Sequence, residues 1–116
     1  SFFTPYCSTL NDEVVDFFNK ENFNITSNYY FDIESDVDIG KVDQYYLYEV
    51  LSKVDLKGAE ALFVSCNALP VLQIIDKLEK KLNKLVLSSN QTLIWDSLNQ
   101  IDFKEKIDGF GKLFNK

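Results

Sequence analysis

Cys66 closes the run Ala61-Leu62-Phe63-Val64-Ser65-Cys66, and Asn67-Ala68-Leu69 follows it. The four apolar residues read as a buried strand, Ser65 to Asn67 as a turn, and the continuation as an apolar helix. A thiol where a parallel strand ends stands where open α/β sheets build their sites. Backbone N–H groups at a helix start attract anions and can lower a thiol's pKa. The residue type and its place point to a general acid, a base or a nucleophile. The plainer alternative is a small buried hydrophobe, as most free cysteines are. There is no histidine, so neither a Cys–His or Ser–His dyad nor the usual zinc site can be built from this chain. Cys7 and Cys66 make neither a metal motif nor a disulfide framework. We expect no metal, no cofactor and two reduced thiols, which fits a cytoplasmic setting.

The elements that would hold these groups alternate strand and helix. Phe2-Phe3 is a strand stub, and Ser8 or Thr9 can cap a helix with Leu10, Val14, Phe17 and Phe18 at helical spacing. Phe23 to Tyr30 reads as a second strand. The acidic segment from Asp32 to Lys41 carries Asp32, Glu34, Asp36 and Asp38, with Asp43 just beyond, and reads as a long functional loop. Asp43 caps a helix with Leu47, Val50, Leu51 and Val54 inward, ended by Lys57-Gly58. Ala61 to Ser65 is the third strand, Ala68 to Leu82 the third helix, and Lys84 to Ser88 the fourth strand. A helix from about Asn90 to Ile101 follows. The tail from Asp102 holds a short helical piece and a Gly109-Phe110-Gly111 turn. Four such units predict an α/β fold: a four-stranded parallel sheet with helices on both faces, in the flavodoxin-like order 2-1-3-4. The loops after the strands then meet at one edge and bring together Tyr6 and Cys7, Cys66 and Asn67, and Ser88 to Gln91.

With 116 residues, 46% of them hydrophobic and 26% charged, the chain is a single domain with a core of its own. Its net charge is −6, and all 12 basic residues are lysines. The acidic balance and missing arginines argue against a nucleic-acid partner. Lys77, Lys80, Lys81 and Lys84 read as a solvated face at a helix end. No apolar run approaches the roughly 20 residues of a membrane helix, and these residues show no signal-peptide pattern. With no methionine, the chain is expected to begin inside a longer product or after processing.

Thr4-Pro5-Tyr6, Leu10-Asn11 and Val14-Val15-Asp16-Phe17 resemble the start of the second lobe of the maleate isomerase and arylmalonate decarboxylase family, within the aspartate/glutamate racemase superfamily. Glu34 to Ile39 with Lys41-Val42, Ala61 to Leu69, and Ile75 to Glu79 resemble its later segments. Ser88-Ser89-Asn90-Gln91, Trp95 and Gly109 to Leu113 extend the resemblance to the end. It implies that residues 1–116 form one α/β lobe, the C-terminal half of a two-lobe enzyme whose first lobe is absent. It also implies cofactor-free isomerase, racemase or decarboxylase chemistry on a small carboxylate. Cys66 matches the catalytic thiol of the second lobe. Tyr6 matches a tyrosine that donates to a substrate oxygen, and the Asn67 N–H, at the expected helix start, would bind a carboxylate. Thr4 and Asp36 are expected to be structural, Cys7 incidental, and Ser88 to Asn90 turn and cap residues. Val37 replaces an asparagine of the maleate isomerases, which points to a related carboxylate with an apolar part.

The resemblance favours maleate cis-trans isomerase-like chemistry, with an arylmalonate-type decarboxylase or an Asp/Glu-type racemase as alternatives. A lobe that kept the fold without catalysis is a reading of another class. A flavodoxin-like receiver or nucleotide binder is weaker, because no Gly-rich loop follows the first strand. Alone, the lobe is expected to be inactive, and its exposed interface could drive homo-oligomerisation.

Overall fold

Short aromatic and β-branched segments pair in parallel in the computed structural model, which describes residues 1–116. The strands are β1 (Phe2–Thr4), β2 (Asn28–Tyr30), β3 (Ala61–Val64) and β4 (Leu85–Ser88), in the spatial order β2-β1-β3-β4. Phe2 lies opposite Asn28 on one side and Phe63 on the other, and Val64 lies opposite Ser88. The helices between them are α1 (Ser8–Lys20), α2 (Asp36–Gly40), α3 (Gln44–Leu51), α4 (Ile75–Leu82) and α5 (Ser89–Gln100). The order and the parallel pairing are those the sequence predicts.

Strand alternation assigns the faces. Phe3, Leu62, Val64 and Val86 join Ile39 of α2, Leu47 and Leu51 of α3, and Ile75 and Leu78 of α4 in one cluster of 13 buried residues. Each large aliphatic side chain removed from water there contributes about 1.5–3 kcal/mol. The opposite face carries Phe2 and Phe63 under α1, where the Phe18 ring lies 5.1 Å from Phe2 and 5.5 Å from Phe63. This face is covered less well. The only buried residue of α1 is Asn11, and the only one of α5 is Gln91. Ala61, Phe63, Leu85 and Leu87 stay half-buried while their neighbours Leu62, Val64, Val86 and Ser88 are buried. Parallel sheets are ordinarily covered on both faces.

Several boundaries depart from the sequence reading. Cys7, not Ser8 or Thr9, takes the N-cap position of α1, and no side chain caps that helix. Leu10 and Phe17 are exposed, so only part of the α1 stripe meets the sheet. Paired β2 is three residues long rather than eight, because its only neighbour, β1, offers three residues for pairing. The acidic segment contains α2, anchored by buried Ile39. Helix α3 ends at Leu51, and Val54 packs on the core from beyond it. The largest shift follows Cys66. No helix starts at Ala68; a 3-10 turn spans Leu72–Ile74 and α4 begins at Ile75. Pro70 disfavours a helical conformation at Leu69 and brings no N–H of its own.

Candidate functional site

The carboxyl ends of β1 and β3 lie side by side, and each carries one reactive group beyond its last paired residue. Past β1, the N–H groups of Phe31, Asp32 and Ile33 donate to the carbonyls of Thr4, Tyr6 and Pro5 at 3.1, 3.0 and 2.8 Å. These bonds fix the backbone that carries Tyr6. Thr4 is buried, and its hydroxyl donates to Asn11 Oδ1 at 2.8 Å, tying the strand end to α1. Past β3, Ser65 N–H donates to Phe3 carbonyl at 2.9 Å, and the chain then turns at Cys66.

Cys66 has φ of +130° and is 6% exposed. A side chain with a Cβ in such a conformation costs about 1–3 kcal/mol and persists where its surroundings hold it. Its N–H donates to Ser89 Oγ at 3.1 Å, and the next carbonyl, of Asn67, accepts from Asn90 Nδ2 at 2.8 Å. The N–H groups of Asn67 and Ala68 make no hydrogen bond within the chain, and both residues are exposed. They are open donors beside a buried thiol. They come from a turn, so the helix-start argument that singled out Asn67 does not apply to them; its N–H nonetheless lies at the corner.

The Tyr6 hydroxyl stands beside the Cys66 and Ser65 side chains. The Tyr6 phenol is pushed up to about 12, chiefly by burial; the neighbouring Cys66 thiol and the Asp36 charge act in the same direction, and a hydrogen bond with Ser65 opposes them. The phenol therefore stays protonated, a donor, throughout the neutral range. Asp36 opens α2, while Ser35 takes the N-cap position without a side-chain bond. Cys7 is half-buried, and its carbonyl accepts from Asn11 N–H at 2.9 Å.

The structure thus brings together Tyr6, Cys66 and the Asn67 backbone. The sequence reading passed over the work of Ser89 and Asn90. Ser88 alone is the cap of α5, accepting from Gln91 N–H at 3.2 Å in a capping box. That leaves the next two polar side chains free to reach the turn after β3. The available signal was the surplus: Ser88-Ser89-Asn90 offers more polar side chains than one cap uses.

Three cavities lie away from this corner. One of about 240 Å³ is lined by Trp95 and Phe103, one of about 680 Å³ by Tyr45, Tyr48 and Lys77, and one of about 750 Å³ by Phe18 and Phe63. None is lined by Cys66, Tyr6 or Asn67.

Fold and corner together define a parallel α/β lobe that presents a thiol, a neutral phenol and open amides at one sheet edge. A family model described as arylmalonate decarboxylase matches residues 1–114, and the chain belongs to that family. A maleate isomerase of Geobacillus stearothermophilus is 24% identical over 112 residues, covering 96% of this chain and 45% of that protein. The solved maleate cis-trans isomerase of Nocardia farcinica superposes with a TM-score of 0.91 at 23% identity, covering 97% of this chain and 46% of that one. A solved arylmalonate decarboxylase superposes with a TM-score of 0.85 at 23% identity, covering 99% of this chain and 52% of that one. The chain spans about half the length of the relatives it matches, 45% and 46% of the first two maleate isomerases. No helix is long and apolar enough to cross a membrane.

Proposed function

We propose that this chain is one lobe, the second, of a cofactor-independent enzyme acting on a small carboxylate, with Cys66 as its thiol. The observation that carries the reading is the pairing of Tyr6 with Cys66 at adjoining strand ends, beside the open Asn67 and Ala68 amides. The relatives supply the chemistry to test: solved maleate isomerases hold maleate in one case and a succinylcysteine intermediate in another.

In the isomerase reading a thiolate adds to one olefinic carbon of maleate. A C–S bond forms, and the π pair moves toward the adjacent carboxylate as an enediolate. The central bond, now single, rotates. The pair then re-forms the double bond, the C–S bond breaks, and the trans isomer leaves with no net change in protons. Negative charge peaks on the carboxylate oxygens, where preorganised donors act most strongly. Tyr6 O–H and the Asn67 and Ala68 N–H groups are such donors, and a phenol held up to about 12 does not give its proton away. Whether Cys66 serves as nucleophile or as proton donor is set by the presence of a second thiol facing it from the other lobe. The corner has one wall from this chain, so the other wall, and the exclusion of water, belong to the first lobe. The free thiols support a reducing, cytoplasmic setting.

One observation favours the decarboxylase alternative. Val37 is 66% exposed and follows Asp36, whose charge reaches Tyr6. An apolar side chain at that place suits an aryl or alkyl substituent. In that reaction the C–C bond to a carboxylate breaks, CO2 leaves, and the Cys66 thiol protonates the carbanion. The complete two-lobe protein, assayed separately for maleate isomerisation and for CO2 release from an arylmalonate, decides between them. We expect isomerisation. Activity on neither carboxylate contradicts both of these readings and leaves a racemase or a lobe that binds without catalysis.

A further inference from the structure

The Cys66 corner is held from outside its own strand, by two residues that the reaction scheme does not use. We propose that Ser89 and Asn90 are positioning residues, a two-point clamp that keeps Cys66 in its strained conformation and aims its thiol at Tyr6. Their catalytic meaning rests on the reading above, but the clamp itself can be tested without turnover.

A φ of +130° is nearly confined to glycine, and Cys66 is buried. A residue with a Cβ relaxes from such a state unless its neighbours fix both sides of the turn. Both sides are fixed here. Ser89 Oγ accepts the Cys66 N–H, and Asn90 Nδ2 donates to the Asn67 carbonyl. The two clamp residues are consecutive and open α5, so they move as one body. That body is itself anchored. Gln91 Oε1 accepts from Ser88 N–H at 3.4 Å, Gln91 Nε2 donates to the Phe110 carbonyl at 2.6 Å, and Thr92 Oγ1 donates to the Ser88 carbonyl at 2.9 Å. Ser88 performs the capping, so the helix does not require the Ser89 hydroxyl for its own start.

The clamp also chooses the donors. By occupying the Cys66 N–H, Ser89 withdraws it from any ligand and leaves the Asn67 and Ala68 N–H groups as the amides of this turn without a partner in the chain. A shift of α5 would change the thiol's direction and the set of free amides together.

The test uses the chain with Cys7→Ser, in which Cys66 is the only thiol. The rate of Cys66 alkylation by iodoacetamide is measured across pH for the parent, Ser89→Ala, Ser89→Thr, Asn90→Ala and Asn90→Asp. Loss of either clamp bond frees the corner, and the buried thiol reacts at least about tenfold faster. Ser89→Thr keeps the hydroxyl and the parent rate. Asn90→Asp keeps the shape, loses the donor and behaves like Asn90→Ala. Leu51→Ala, which loosens the buried core that Cys66 shares without touching either clamp bond, serves as the control for general loosening. Unchanged or slower alkylation in the Ser89→Ala and Asn90→Ala variants overturns the clamp, as does an equal acceleration in Leu51→Ala. Failure of the clamp leaves the catalytic assignment of Cys66 standing. Conversely, a complete protein that turns over without Cys66 leaves the alkylation result standing.

Discussion

Cys66 combines a buried thiol with a backbone conformation that its own side chain opposes. This has a direct thermodynamic consequence. Glycine relieves the strain and alanine keeps it, so Cys66→Gly is expected to be more stable than Cys66→Ala by about 1 kcal/mol, read by urea denaturation. Equal stability would mean that the corner is unstrained. Tyr6 makes a second prediction. Its phenol is raised from 10.0 to about 12, so the unfolded chain loses this proton first as pH rises. The Tyr6 contribution to stability is intact below pH 10.0 and is lost as pH climbs to about 12. Ultraviolet titration of the phenolates is expected to show a step near pH 12 that disappears in Tyr6→Phe. At this scale, residue type and chain position were legible: a cysteine and a tyrosine just past strand ends need no structure to be noticed. The φ of Cys66 was not legible, because it depends on Ser89 and Asn90, which are 23 residues away from Cys66 and Asn67 in the chain.

Periodicity decided the elements where packing is one-sided. Helix α3 and strands β3 and β4 follow their apolar spacing because each lays that spacing on the single large core. Three elements escaped it for physical reasons. Strand β2 is limited by its partner, α2 owes its place to buried Ile39 within an acidic run, and the Pro70 segment pushes the start of α4 well beyond Cys66. The tail is fastened by contacts that no local pattern announces. Glu79 is buried; it accepts from Val86 N–H at 3.1 Å and from Lys112 N–H at 2.8 Å. Gly111 has φ of +92°, and a Cβ there would meet Ile75 Cγ2 at 2.6 Å and Gln91 Nε2 at 2.8 Å. Gly111→Ala is therefore expected to destabilise the chain by about 2–3 kcal/mol, measured by thermal or urea unfolding. A loss below about 0.5 kcal/mol, the range of surface substitutions, would show that the tail is not fastened in this way.

As a whole, the molecule buries one face of its sheet more fully than the other. The α3–α4 side packs on the large core, although Val37, Tyr45 and Tyr46 stay exposed there, whereas α1 and α5 bury one residue each and expose Leu10, Phe17, Leu93 and Ile94, with Ile101 exposed just beyond α5. Exposed apolar side chains on these helices favour association. Sedimentation of the isolated chain is expected to show concentration-dependent self-association, weakened by Phe17→Lys and Leu93→Lys; a strict monomer at high concentration would contradict this. The parallel order and the half-length match both fit a lobe that shares its site with another lobe. The most direct test of that account is turnover by a complete two-lobe protein carrying this chain, with Cys66 intact and with Cys66→Ser. The protein may be taken as encoded, or this chain may be joined to the first half of the Nocardia farcinica enzyme. The account predicts carboxylate turnover that Cys66→Ser abolishes while the fold is retained. Turnover unchanged by Cys66→Ser would contradict it.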